Sequence, residues 1–288
     1  MTQIDTQRLP VHDVELAWWE RGAGAPGTPT LVLVHGFSGA ALDFALVADE
    51  LASDRRVVTI DQRGHGHSTK TGRLEGYTLE QLVADLAVVL ETVGDGPVDL
   101  LGHSMGGQIV MGLVLSRPDL VGSLVLMDTS ARSFTPEDEA LAAVVRAWID
   151  AFDPAQGVPD SLSMGGPEDD LIEAATPSEW QEAKAASFAG MDPYAIKALG
   201  LALLADASDR KVVLEPRLAS IACPTTVIAG QHDHPLADQA PELAASVADG
   251  RLTLIEGAYH SPQLTHPRQW TDAVRAHLSW AEAERAER

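Results

Sequence analysis

Ser104 stands in the run GHSMG at residues 102–106, one hydroxyl between two glycines. A serine hydroxyl attacks a carbonyl carbon only when a base takes its proton and a third group orients that base. The chain offers ten histidines as bases. His35, His65, His67 and His103 belong to other short motifs, His12 lies near the N-terminus, and His277 falls in a polar C-terminal helix pattern. His260, in EGAYHSPQ, follows the last apolar run and precedes the last helix pattern, which makes it the candidate base. Two carboxylates compete for the role of acid. Asp233, in AGQHDHPL, closes the apolar run one strand–helix unit upstream of His260; Asp128 closes the run after the serine's own helix. Either can orient an imidazole, and Asp233 is preferred. The chain order is then nucleophile, acid, base, one of the orders in which this constellation is built.

Such residues need a frame. Apolar runs at 31–36, 56–61, 98–104, 123–128, 225–230 and 251–257 are short, rich in Val, Ile and Leu, and mostly non-alternating. Strands buried on both faces of a parallel sheet have this pattern. Helix-length amphipathic segments at about 41–52, 78–92, 105–117, 236–248 and 267–286 lie between or after them. The alternation predicts an α/β fold with a mostly parallel, doubly wound sheet. The opening VHDVELAWWERG alternates and predicts one or two antiparallel edge strands. In open sheets of this kind, ligands bind beyond the carboxyl ends of the strands. Ser104, Asp128, Asp233 and His260 all follow such ends. VDLLG, Ser104 and MGGQIVMGLVLS read as strand, tight turn and amphipathic helix, with Gly102 and Gly106 removing side chains where strand and helix approach. The helix N-terminus adds free N–H groups beside the serine.

The rhythm stops from Phe134 to Leu218, where no strand pattern occurs. Alanine-rich helical stretches at 137–152, 178–190 and 193–206 fill the gap instead. About 85 residues are too many for a loop in a compact domain, so a helical insertion is expected. Its Trp148, Met164, Trp180, Phe188, Met191 and Tyr194 supply either its own core or the wall of an apolar pocket.

Composition narrows the partners. The net charge of −22 repels nucleic acid and anionic membranes. Cys223 is the single cysteine, in the setting of a buried structural thiol, so no intrachain disulfide is expected. MTQIDTQRLPVHD lacks the order of a signal peptide, and no apolar run reaches about 18 residues. The expectation is a cytoplasmic monomer or homodimer acting on a small molecule, without nucleic acid or membrane. His232 and His234 flank Asp233 as a His-x-His pair, but metal needs three or four converging ligands. Neither metal nor cofactor is expected.

In the ordered pieces HGF (35–37), DQRGHGHS (61–68), GHSMG (102–106), GQHDHPL (230–236) and GAYHSPQLTHP (257–267), the chain resembles the α/β-hydrolase fold family over most of residues 11–285. The resemblance implies an oxyanion hole from the backbone N–H groups of Phe37 and Met105. It makes Asp61, Arg63 and Ser68 parts of a structural turn. It casts 134–218 as a helical cap on a core of 1–133 and 219–288. Tyr259 stands where the family often has glycine, and Thr265 where glutamate is common. Ser104 in the elbow excludes the members that open epoxides or displace halide through an aspartate. Phe37, Met105, Trp148, Trp180 and Tyr259 are the candidate substrate-binding residues. The implied activity is a serine hydrolase that cleaves a carboxylic ester or lactone of a small to medium apolar acid through an acyl-enzyme. Carbon–carbon bond hydrolysis or perhydrolysis by the same triad is an alternative. So is a ligand receptor with a nearly silent triad.

Overall fold

The computed structural model describes residues 6–134, 139–159, 166–204 and 214–287. Among them, eight strands form one sheet. They are β1 (Gln7–Val11), β2 (Val14–Arg21), β3 (Leu31–Val34), β4 (Val57–Ile60), β5 (Val98–His103), β6 (Val121–Met127), β7 (Thr225–Gly230) and β8 (Gly250–Ile255), in the spatial order β1-β2-β4-β3-β5-β6-β7-β8. The β1–β2 and β2–β4 pairs are antiparallel; every other pair is parallel. The chain runs from β3 outward to β4, then returns past β3 to β5. That reversal opens a crevice above the carboxyl ends of β3 and β5, where Gly36–Phe37 and Ser104 emerge.

Alternate residues of β3 serve different cores. Val32 and Val34 face a cluster shared with α2 (Leu79–Val93) and α3 (Met105–Ser116). Leu31 and Leu33 face the other cluster, with Phe44, Leu51 of α1 (Ala48–Leu51) and Trp270 and Val274 of α10 (Pro267–Glu287). Helices α8 (Leu236–Ala245) and the short α9 (Pro262–Thr265) complete the core layers. Between β6 and β7 come α4 (Glu139–Ala151), α5 (Pro167–Ala175), α6 (Ser178–Ala189) and α7 (Pro193–Leu204), the expected helical insertion.

Three local expectations change. Residues 105–114 of α3 are all buried, so this helix is enclosed on every side rather than half-exposed, with Gln108 satisfied by the Ser130 and Arg132 carbonyls. It is sandwiched between the sheet and α2. Strand β8 is the sheet's outer edge: Leu252 and Leu254 are exposed, although a doubly buried strand was expected from the run 251–257. Arg251 covers part of this edge by stacking on Trp280, 3.6 Å from the ring centre. Cys223 is half-buried at the rim of the core rather than fully enclosed.

Candidate active site

The strand–turn–helix junction at Ser104 has φ 54° and ψ −119°, a region a non-glycine residue enters at a cost of about 1–3 kcal/mol. Hydrogen bonds hold it there. Ser104 N–H donates to the Met127 carbonyl at 2.9 Å, and its own carbonyl accepts from Thr129 Oγ1 at 2.7 Å. The flanking glycines are steric requirements. A Cβ on Gly106 would lie 2.4 Å from the Val34 carbonyl oxygen, and one on Gly102 2.4 Å from that of Gly106. Without them α3 could not start so close to β3 and β5.

The turn after β3 meets this elbow directly. A Cβ on Gly36 would stand 3.0 Å from Ser104 Cβ. The next residue, Phe37, is half-buried, and its ring tip points at Gly200 of α7. Its carbonyl oxygen is 2.6 Å from His65 Nε2, and the other ring nitrogen of His65 is 2.9 Å from the Arg63 carbonyl. Asp61 ties the 61–68 turn to the same segment, accepting from Ala41 N–H at 2.7 Å and His67 N–H at 2.6 Å. Arg63 is buried in a two-pronged pair with Asp85, at 2.5 and 2.8 Å. These contacts fit the structural role expected of that turn.

Asp233 leaves the end of β7 and His260 the end of β8. His260 Nδ1–H donates to Asp233 Oδ2 at 2.8 Å. The backbone of His260 is held as well: its carbonyl accepts from His103 Nε2–H at 2.8 Å, and the two rings lie 4.8 Å apart. His103 precedes Ser104, so one hydrogen bond joins the elbow to the His260 loop. Burial, and then the neighbouring His260, lowers the His103 pKa to about 3, so its ring is neutral. Burial opposes the His260 imidazolium too, but there Asp233 outweighs it. With Glu168, and Asp128 to the extent that it is ionised, adding to the field, the His260 pKa is pushed up to about 9. His260 in turn holds the Asp233 carboxyl below its ordinary value despite burial. Asp128, the rival acid, is fully buried, and its Oδ1 accepts the Gly230 N–H at 2.7 Å. It sits beside Asp233 and makes no hydrogen bond to His260 among the described residues.

The insertion touches this site from above. Glu168 of α5 accepts the Ser261 N–H at 2.5 Å, one residue after His260. Lys184 of α6 reaches Asp43 Oδ1 at 2.6 Å and the Ser38 carbonyl at 3.3 Å, beside Phe37. The expected pocket residues take the following places. Met105 is fully buried in the core, and its backbone N–H belongs to the first turn of α3, where helix N–H groups lack intrahelical partners. Trp148 is 44% exposed and stacks on Phe152. Trp180 is buried, with Nε1–H donated to the Leu42 carbonyl at 3.1 Å, so it anchors α6 to the 41–44 turn. Met191 is core, Tyr194 packs against it, and Phe188 is half-buried. Met164 lies outside the described residues. Tyr259 is half-buried with its ring against His232, 5.2 Å between centres. His234 pairs with Asp238 at 2.8 Å, so the two histidines beside Asp233 turn to different partners. Three residues hold the site beyond those the sequence singles out for it: His65, His103 and Glu168. The first two sit inside recognised motifs, a usable signal, whereas nothing local marks Glu168.

A family model described as the alpha/beta hydrolase fold matches residues 29–267, and the chain belongs to that family of hydrolases. Over its whole length it is similar to an (E)-2-((N-methylformamido)methylene)succinate hydrolase of Acinetobacter baylyi, at 27% identity covering 91% of this chain and 93% of that one. It shares 38% identity with an sn-1-specific diacylglycerol lipase of Mus musculus over 38% of this chain. The chain spans only about a third of that relative's length, 35%, and 33% of a Mus musculus epoxide hydrolase. Among solved structures, an enol-lactonase from Burkholderia xenovorans LB400 superposes with a TM-score of 0.74 at 26% identity, covering 95% of this chain and all of that one.

Proposed function

We propose that this hydrolase cleaves a carboxylic ester or lactone through an acyl-enzyme on Ser104. The observation that carries the reading is the 2.8 Å His260–Asp233 pair, hydrogen-bonded through His103 to the strained Ser104 elbow. Neutral His260 takes the Ser104 proton as Oγ attacks the carbonyl carbon, and Asp233 stabilises the imidazolium that forms. The backbone N–H groups of Phe37 and Met105 receive the developing oxyanion; His65 fixes the Phe37 peptide by holding its carbonyl. His260 then protonates the leaving oxygen and activates the water that frees the enzyme. Residues 134–218 act as a cap on a core of 1–133 and 219–288. Its contacts through Trp180, Lys184 and Glu168 bear on the turns that carry Phe37 and His260. Phe37 and Tyr259 remain as side chains that border the acyl group.

The ester or lactone class is favoured because a solved structure matched over nearly the whole chain is an enol-lactonase and the elbow carries serine. A cytoplasmic setting goes with this reading, since the single cysteine calls for no oxidising compartment; among the described residues no helix is long and apolar enough to cross a membrane. The test is a panel of p-nitrophenyl esters of graded acyl length, with lactones and a β-diketone, run on the wild type and Ser104→Ala. Multiple turnovers on an ester or lactone, reduced by several orders of magnitude in the variant, are expected. Full turnover by Ser104→Ala, or a preference for the diketone, contradicts the reading.

A further inference from the structure

The proposed reaction leaves one buried carboxyl beside its machinery unused. Asp128 follows β6 with φ 44°, a left-handed conformation that Asp and Asn tolerate better than most residues. It has no exposed surface. One oxygen, Oδ1, accepts the Gly230 N–H at 2.7 Å. The other, Oδ2, is equally buried and receives no N–H or hydroxyl hydrogen among the described residues. The Asp128 N–H donates to the Ile228 carbonyl at 2.8 Å and the Asp233 N–H to the Gly230 carbonyl at 3.0 Å, so Asp128 lies against the turn that carries Asp233, whose carboxyl is its acidic neighbour. Two carboxylates cannot bond to each other, because each only accepts; one proton between them turns the contact into an O–H···O⁻ bond. Asp233 is committed to the charged form by His260 Nδ1–H at 2.8 Å, whereas no cation touches Asp128 among the described residues. The proton therefore belongs on Asp128.

We propose that Asp128 is a neutral carboxylic acid in the working enzyme and donates its hydroxyl to Asp233, a positioning residue for the Asp233–His260 pair. The proposal rests on the reading of Ser104, His260 and Asp233 as a triad. The titratable groups that face Asp128 are Asp233, from the loop after β7, and His260, from the loop after β8. The proton has two consequences. It gives Asp233 a donor additional to the histidine, which fixes its orientation. It also removes a negative charge that would otherwise hold His260 protonated, so the base is freed at lower pH.

Asparagine separates this role from that of an anion. Its amide oxygen can accept the Gly230 N–H, its NH2 can donate to Asp233, and its backbone suits the same positive φ. Asp128→Asn is expected to keep kcat within about threefold of wild type and to leave the acid limb of the kcat/KM profile in place. Asp128→Ala is expected to lower kcat about 10- to 100-fold with little change in KM, the size of a lost hydrogen bond to a charged group. An Asn variant as impaired as the Ala variant, or one whose acid limb moves to lower pH, overturns the proposal, because either outcome means that Asp128 is charged. A readout independent of turnover, and of the folding of the Ala variant, is infrared difference spectroscopy of wild type against Asp128→Asn at neutral pH. A carboxylic-acid carbonyl band lost in the variant supports the proposal, and no such band overturns it. Failure of the triad itself shows elsewhere, as ester turnover by Ser104→Ala.

Discussion

Gly230 is where the fold sets the distance between acid and base, and Gly230→Ala tests that directly. A Cβ there would lie 1.9 Å from the Tyr259 carbonyl oxygen and 2.8 Å from that of Ala258. Both are backbone atoms, and Tyr259 immediately precedes His260. Ordinary contact begins at 3.4 Å, so the 258–260 segment must retreat by about 1.5 Å. Gly230 also ends β7 opposite Ile255 and donates to Asp128, so β7 itself has little freedom to yield. The retreat therefore falls on His260 and pulls it from Asp233. A displacement of this size costs about 100-fold in kcat/KM, or roughly 2.7 kcal/mol of transition-state stabilisation, with about 1–3 kcal/mol of stability lost to overpacking. The assay is p-nitrophenyl acetate turnover beside urea denaturation. Gly122→Ala is the control: its Cβ would lie 3.2 Å from the end of the Arg285 side chain and otherwise in ordinary contact, 3.5 Å from the Val98 carbonyl oxygen and 3.6 Å from Pro97 Cβ. Wild-type kcat/KM in a folded Gly230→Ala would refute the claim that this glycine sets the geometry.

Other predictions concern charge. Because the base must be neutral, kcat/KM should rise with pH, with an acid limb above the ordinary histidine value of 6.5 and no higher than about 9. Asp233→Asn should move that limb down; an unmoved limb would mean that Asp233 does not face the base. The same shift means that the His260–Asp233 pair contributes stability fully below pH about 6.5, which is lost as pH rises through about 9; a urea midpoint unchanged over that window contradicts it. Burial does the reverse to His35, His103 and His277, each lowered to about 3. Their contribution is full above pH about 6.5 and falls away toward pH 3. With up to three protons taken up on unfolding, the slope reaches about 4 kcal/mol per pH unit. Replacing His277, which donates to Ser123 Oγ and accepts from Thr226 Oγ1, should remove about a third of that slope in urea titrations; an unchanged slope would mean that His277 is protonated when folded. Arg63→Ala strands the buried Asp85 and should cost about 3–5 kcal/mol in the same assay, whereas a loss below about 1 kcal/mol would mean that Asp85 finds other partners.

The strands were legible because burial on both faces leaves an uninterrupted apolar signature, as in LVLV of β3 and TTVIAG of β7. Position within the sheet is not written that way. TTVIAG and GRLTLI look alike, yet β8 is an exposed edge because no strand follows it. The elbow was legible through its glycines, and the pairing of Asp233 with His260 through their places at successive strand ends. Side-chain direction was not. Met105 turns into the core because α3 is enclosed on all sides, and Trp180 is spent on the Leu42 carbonyl. The approach of Asp128 to Asp233, 105 positions apart in the chain, is tertiary, produced by β6 and β7 lying side by side, and no local pattern encodes it.

Ser104 Oγ is the proposed nucleophile that becomes acylated, and a fluorophosphonate reports it without knowledge of the natural substrate. Intact-mass and peptide mapping of the treated protein should show one adduct on Ser104. It should be absent from Ser104→Ala and form far more slowly in His260→Ala. An unlabelled wild type, or an adduct on another residue with Ser104 free, would contradict the account.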